Sequence, residues 1–286
     1  MSHTKEGLLS VHLAVLIFGL TALFSKLIAL SALEITLIRS LFAMLTLALF
    51  IRWKGGSLRL KCRRDYAIAL LLSALLASHW VTYFHAMQVS SVAVGVIALY
   101  TFPVITVFLE PIFHGERPHI RDIVSALAVL FGIYLLVPSF TLEDTVTQGV
   151  LWGVLSALLF ALRNIIQGRH FSGYPARHAL LYQAGFTILL LLPFGGSVIP
   201  EVTALQWGQL LLLGIFFTAL PHTLFAHSLL HFKAKTTSLI ACLQVVYATL
   251  FAALLLGELP SWSTVVGGLI VVAAAMYESY NAGRRS

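Results

Sequence analysis

The chain has 286 residues, 59% of them hydrophobic and only 10% charged, with a formal net charge of +7. A water-soluble domain of this make-up would expose far too much apolar surface, so the expected solvent is largely a lipid bilayer. A helix crossing the hydrocarbon core needs about 20 mostly apolar residues. Ten such runs follow one another, near 8–28, 33–51, 66–87, 90–113, 120–138, 149–168, 177–194, 205–230, 234–256 and 262–280. Each is too long and too continuously apolar for a barrel strand, so the expected fold class is an all-α membrane protein of ten transmembrane helices. The first run has full span length and no small-residue cleavage site, which reads as a span rather than a signal peptide.

Basic residues punctuate alternate connections. Arg52, Lys54, Arg59, Lys61, Arg63 and Arg64 crowd the connection after the second run, and Arg117 and Arg121 follow the fourth. Arg169 and Arg177 flank the turn after the sixth run, Lys233 and Lys235 the turn after the eighth. The connections after the fifth and seventh runs carry Glu143, Asp144 and Glu201 but no Lys or Arg. Lys and Arg stay cytoplasmic, so both termini are expected inside, in a bacterial-type inner (plasma) membrane. The positive balance thus sets topology and meets anionic lipid; no nucleic-acid partner is expected. Cys62 and Cys242 are expected as two free thiols.

Sliding the sequence by 142 residues aligns "FHGERP" (113–118) with "LLGELP" (255–260), pairing Gly115 with Gly257, Glu116 with Glu258 and Pro118 with Pro260. The same offset pairs His85 with His227, Gly7 with Gly149 and Phe18 with Phe160. Each unit, 1–142 and 143–286, holds five spans. That odd number makes the second unit an inverted copy of the first, the architecture of carriers that alternate access around a midplane site. With Glu116 thirteen positions after Pro103, Gly257-Glu258 after "LFAALLL", and Arg39 in "ITLIRSLFAML", the chain resembles the drug/metabolite transporter superfamily, EamA-type exporters in particular, over essentially its whole length. The resemblance implies the ten-helix fold and export; it does not imply a substrate. Val245 stands where the second copy would repeat Pro103, which puts a symmetric hinge in spans 4 and 9 in question.

Lys26, Arg39 and Arg163 are the basic residues outside the cytoplasmic pattern. Lys26, at the outer end of span 1, can snorkel to the headgroups. For Arg39, two turns inside span 2, an ion pair with Glu34, snorkelling and a ligand role all stand open. Arg163 sits mid-span in "LLFALRNIIQ", where insertion scales charge about 3 kcal/mol for Arg. Either a water-filled cavity faces it and a charged substrate completes its shell, or it pairs with Glu110, roughly two turns away in depth. Asn164 and Gln167 extend the same polar stripe.

The repeat pairs Thr21 with Arg163, Trp80 with His222 and His79 with Pro221. "ASHWVTYFHA" puts His79, Thr82 and Tyr83 on one face, Tyr100 lies one turn before Pro103, and Gln244 and Tyr247 lie one turn apart on span 9. The expected substrate-binding set is therefore Arg163, His79, Tyr83, Tyr100, His222, Gln244, Tyr247, Trp80, Asn164 and Thr21, a pocket suited to a zwitterion or organic anion. The alternatives are helix packing for the aromatics and a backbone carbonyl bond for each His. His79 and His222 suit proton coupling, since His titrates near neutrality. Pro103 and Pro221 are the hinge candidates.

No H-E-x-x-H, G-x-S-x-G or Walker loop is present, so no catalytic residue, metal or cofactor is expected. The reading is a secondary transporter that exports a small metabolite or amino acid by alternating access, acting as a monomer. Its alternatives are a quaternary-ammonium or drug exporter, which should carry a midplane carboxylate, and an intramembrane enzyme or non-transporting receptor.

Overall fold

The computed structural model describes residues 3–114, 120–137, 139, 141–228, 231, 232 and 234–285. Gly115, Glu116, Arg117, Pro118 and Lys233, singled out above, lie outside the described residues, as do the side chains of Arg121 and Lys235. Among the described residues the chain is helical, without strands. The first half comprises α1 (His3–Leu27), α2 (Ala32–Trp53), α3 (Arg63–Val89), α4 (Val92–Leu99), α5 (Phe102–His114) and α6 (Ile120–Leu136). The second comprises α7 (Thr145–His170), α8 (Ala176–Gly195), α9 (Ala204–Gly214), α10 (Leu220–Ser228), α11 (Ala234–Ala241), α12 (Leu243–Phe251) and α13 (Trp262–Arg285).

Among the described residues, nine of the ten expected spans are long and apolar enough to cross a bilayer. The remaining one is α6, whose apolar part is the shorter Asp122–Leu136. Its 17 residues extend about 26 Å, slightly under the roughly 30 Å of a hydrocarbon core. The protein is a multi-pass integral membrane protein. Leu49, Phe131, Leu189 and Leu254 point outward, as side chains do when lipid rather than water surrounds a bundle.

Local chemistry sets the helix ends. Ser31 and Glu34 form a reciprocal capping box at the start of α2, with Ser31 N–H to Glu34 Oε2 at 2.7 Å. Glu34 is thereby committed to the backbone, and it is not the partner of Arg39. Asp144 caps α7 by accepting the Thr147 N–H at 2.8 Å. Where helices cross, small residues let backbones touch: a Cβ on Gly267 of α13 would lie 2.5 Å from the Gly132 carbonyl oxygen of α6.

Two spans are broken at equivalent depths. Between α4 and α5 the chain turns at Tyr100 and Thr101, because Pro103 has no N–H for the Leu99 carbonyl. The partner break, between α11 and α12, falls at Cys242, 142 residues after Tyr100. The question raised by Val245 is thus answered: the interruption recurs without a proline. It is built from short-range bonds, Cys242 N–H to Leu239 O and Val245 N–H to Cys242 O, both 3.3 Å. The Tyr100 hydroxyl, reaching across from the first break, donates to the Ala241 carbonyl. A third irregularity is the π-helical turn Ile215–Ala219, immediately before Pro221.

Candidate functional site

A cavity of about 650 Å³ lies between the two halves of the chain, with walls from α1, α2, α3, α4, α5, α7, α8, α10 and α12. It extends to the α7–α8 turn, where Phe171, Ser172, Tyr174 and Arg177 line it. The opposite end is tied shut. Lys26 Nζ lies 3.6 Å from Glu258 Oε1 and donates to the carbonyls of Gln88 and Ser90, and Glu258 Oε2 accepts the Val92 N–H. Lys26 therefore does not snorkel into headgroups; an acidic partner from the distant end of the chain holds it.

Of the expected pocket residues, Thr21, His79, Trp80, Tyr83, Tyr100, Arg163, Asn164, His222 and Gln244 line this cavity, together with Pro103. Tyr247 does not. Gly19 leaves a gap on α1 into which α12 settles, and a Cβ on Gly19 would meet the Tyr247 Cβ at 2.8 Å. That close approach commits Tyr247 to the α1–α12 contact. Pro221 is buried outside the lining, in α10 just beyond the π-turn.

Each polar group in the cavity has a traceable local cause. Pro221 cannot supply an N–H to the carbonyl four residues earlier, that of Phe217; the Thr21 hydroxyl donates to that oxygen at 3.0 Å. His79 Nδ1 lies 2.7 Å from Ser156 Oγ, and the Ser156 hydroxyl itself donates to the His79 carbonyl at 2.9 Å. With the only Ser156 proton so used, Nδ1 must carry the hydrogen, leaving Nε2 as the acceptor. His222 Nδ1 donates to the Thr218 carbonyl at 2.7 Å and reaches the same tautomer. Phe160 stacks on His79 at 4.7 Å, and Phe18, its partner in the repeat, meets His222 edge-on at 4.9 Å. The offset of 142 had paired those two Phe residues, although the sequence alone assigned them no role.

Arg163 is not paired with Glu110. Its Nε and Nη2 both donate to Gln183 Oε1, at 2.9 and 2.7 Å, and its Nη1 to Asn164 Oδ1 at 2.9 Å. Gln183, fully buried, passes its own amide proton to Gln167 Oε1 at 2.8 Å. Gln183 was missed in the sequence, where "LLYQAGF" places an amide in span 7 that could have been matched to Arg163. Arg39, by contrast, is 2% exposed, with its guanidinium carbon 4.1 Å over the Trp80 ring and 4.6 Å from the Phe84 ring. Its Nε and Nη2 meet no hydrogen-bond acceptor among the described residues.

The described lining contains Arg39, Arg163 and Arg177 but no carboxylate. At the mouth, the backbone N–H of Lys61 donates to the Tyr174 hydroxyl at 2.7 Å, and that hydroxyl donates to Asp65, pinning the α2–α3 connection to the α7–α8 turn. Desolvation and this bond to Asp65 hold the Tyr174 phenol above its usual pKa. No cluster of metal-binding side chains occurs among the described residues.

A helical bundle with a polar cavity walled off at one end and open toward the other is the shape of a membrane transporter. The chain matches the EamA-like transporter family over residues 5–137 and again over residues 147–279, and it belongs to that family. It is 26% identical to an uncharacterized inner membrane transporter, YicL, of Salmonella typhimurium, over 100% of this chain and 99% of the relative. It is 25% identical to the pseudopaline exporter CntI of Pseudomonas aeruginosa, with 95% of each chain covered. A 23% match to an S-adenosylmethionine uptake transporter of Rickettsia felis covers 87% of this chain and 83% of that one. A solved crystal structure shares the fold with a TM-score of 0.64 at 18% identity, covering 99% of this chain and 98% of the other. The protein is therefore a membrane transporter of a small molecule, not an enzyme.

Proposed function

We propose that the protein is a ten-span secondary carrier of two inverted five-helix repeats, 1–142 and 143–286, that exports a small organic anion or zwitterion such as an amino acid by alternating access. The observation that carries the substrate class is a cavity with three arginines and no carboxylate in its described lining. A cation exporter needs the opposite charge there. In this reading α6 is the tenth span.

The repeat is supported by contacts that recur 142 residues apart. Gly7 packs against Phe232, and Gly149 packs against Ser90. Ser10 Oγ bonds His227 at 3.1 Å, while the equivalent residues Trp152 and His85 meet with ring centroids 5.2 Å apart. The packing of α3 on α7 corresponds to that of α10 on α1, and α4 on α7 to α12 on α1. Positive connections then put both termini and the α7–α8 turn on the cytoplasmic side of a bacterial inner membrane, so the structure is inward-open. The cavity is complete within one chain, which suits a monomer. Export follows the direction in the Pseudomonas relative's name; the Rickettsia relative is named for uptake, so direction is part of the test. The unprotonated Nε2 of His79 and His222 supports proton coupling as the driving step.

Counterflow in liposomes, with labelled amino acids, organic anions and organic cations, tests the class. Exchange of anions or zwitterions is expected; exchange of cations alone would refute it. A flux indifferent to an imposed pH gradient would remove the proton step.

A further inference from the structure

We infer that Arg39, rather than Arg163, is the anchor for the substrate: its empty guanidinium edge receives a carboxylate side-on. The inference rests on the carrier reading above and names the group that recognises the solute. A guanidinium presents Nε–H and one Nη2–H along the same edge, and that pair matches the two oxygens of a carboxylate. In Arg163 this edge is closed on Gln183 Oε1, and Gln183 is in turn bonded to Gln167, so the fork is already spent inside the protein. In Arg39 the same two nitrogens are buried and have no acceptor among the described residues.

An unpaired, desolvated cation is costly anywhere, and more so inside a membrane. Trp80 and Phe84, one helical turn apart on α3, compensate in part by placing their rings against the guanidinium carbon. Rings take the faces of the guanidinium and leave its in-plane edges for hydrogen bonds. The Tyr83 hydroxyl, on the same helix and also lining the cavity, is likewise buried without a hydrogen-bond partner. Two unspent donor groups on one wall, one of them a cation fixed in plane, specify a planar anion with two oxygens. Arg163 contributes field to the cavity but no free fork.

The test uses the full-length protein in liposomes and solutes offered as pairs: phenylalanine, benzoate and lactate, each beside its primary amide. The wild type should exchange acids and not amides. Arg39→Gln should raise the half-saturating concentration of the acids roughly thirtyfold or more and erase the acid–amide discrimination. Arg39→Lys, which keeps the charge but not the fork, should fall between, and Arg163→Gln should lose less than Arg39→Gln and keep the discrimination. Because an unpaired charge is removed, Arg39→Gln without solute should melt no lower than wild type, and the thermal shift induced by an exchanged acid should vanish.

Acid exchange that persists in Arg39→Gln within about twofold would overturn the anchor and leave the anion-carrier reading standing. Exchange of amides or cations alone, or of nothing in the panel, would overturn both. A large loss of thermal stability in both Arg39 variants without solute would show a structural charge instead and would also overturn the anchor.

Discussion

Replacing Glu258 with Gln removes the charge that closes the end of the bundle opposite the α7–α8 turn while preserving its shape. Glu258 Oε1 is 3.6 Å from Lys26 Nζ, and Oε2 accepts the Val92 N–H at 2.9 Å. Lys26 also binds the Gln88 and Ser90 carbonyls at 3.2 and 2.9 Å, so one knot joins α1, the end of α3, the start of α4 and the chain beyond α12. The amide oxygen introduced by Glu258→Gln remains an acceptor for the Val92 N–H, which isolates the ion pair as the quantity lost. With the two side chains 25% and 24% exposed, the pair is worth roughly 1 kcal/mol rather than several. Alternating access requires this end to open, and a state lacking the knot would then gain about fivefold in population. The assay replaces Cys62 and Cys242 with Ala, introduces Thr223→Cys in the cavity lining, and follows labelling by an impermeant maleimide applied from the Glu258 side. The rate should rise about fivefold in Glu258→Gln. An unchanged rate, with labelling from the other side equally unchanged, would show that Lys26 and Glu258 do not hold the cavity closed.

Three further outcomes follow from packing and hydrogen bonding. Gln183→Leu strips two bonds from Arg163 and should cost about 1–3 kcal/mol, read as a lower melting temperature in detergent; equal stability would mean that Arg163 finds other partners without loss. Gly267→Leu should abolish monodisperse protein in size exclusion, because its Cβ would collide with the Gly132 carbonyl, whereas Gly208→Ala, with nothing within 4 Å of the new Cβ, should behave as wild type. Tyr100→Phe leaves the Ala241 carbonyl without its cross-helix donor; a loss of about 1 kcal/mol should appear as faster amide exchange around Cys242, and unaltered exchange there would argue that the break is self-sufficient.

Much of the architecture is legible along one dimension. Hydropathy runs located nine spans within a few residues, since crossing a bilayer demands a fixed length of apolar helix. Pro103 announced the α4–α5 break because a missing N–H is a local property of the chain. The break at Cys242 could not be announced in this way: its stability comes partly from Tyr100 on another helix. Likewise nine of the ten expected pocket residues share one cavity, because polar side chains in an apolar span turn away from lipid. Tyr247 left that set because Gly19, on a helix far away in sequence, offered a closer seat.

The sequence by itself determined that the chain lies in a membrane, where its helices run and which buried charges need an explanation. Tertiary structure decided which of those charges are already answered. Arg39 and Arg163 look alike in their spans, yet Gln183 closes the fork of one and no described residue closes that of the other. Lys26 resembles a snorkelling residue until Glu258 arrives from the far end of the chain. Burial and charge belong to a residue and its neighbours in sequence, but a hydrogen bond is spent or free according to what another helix brings within about 3 Å of it.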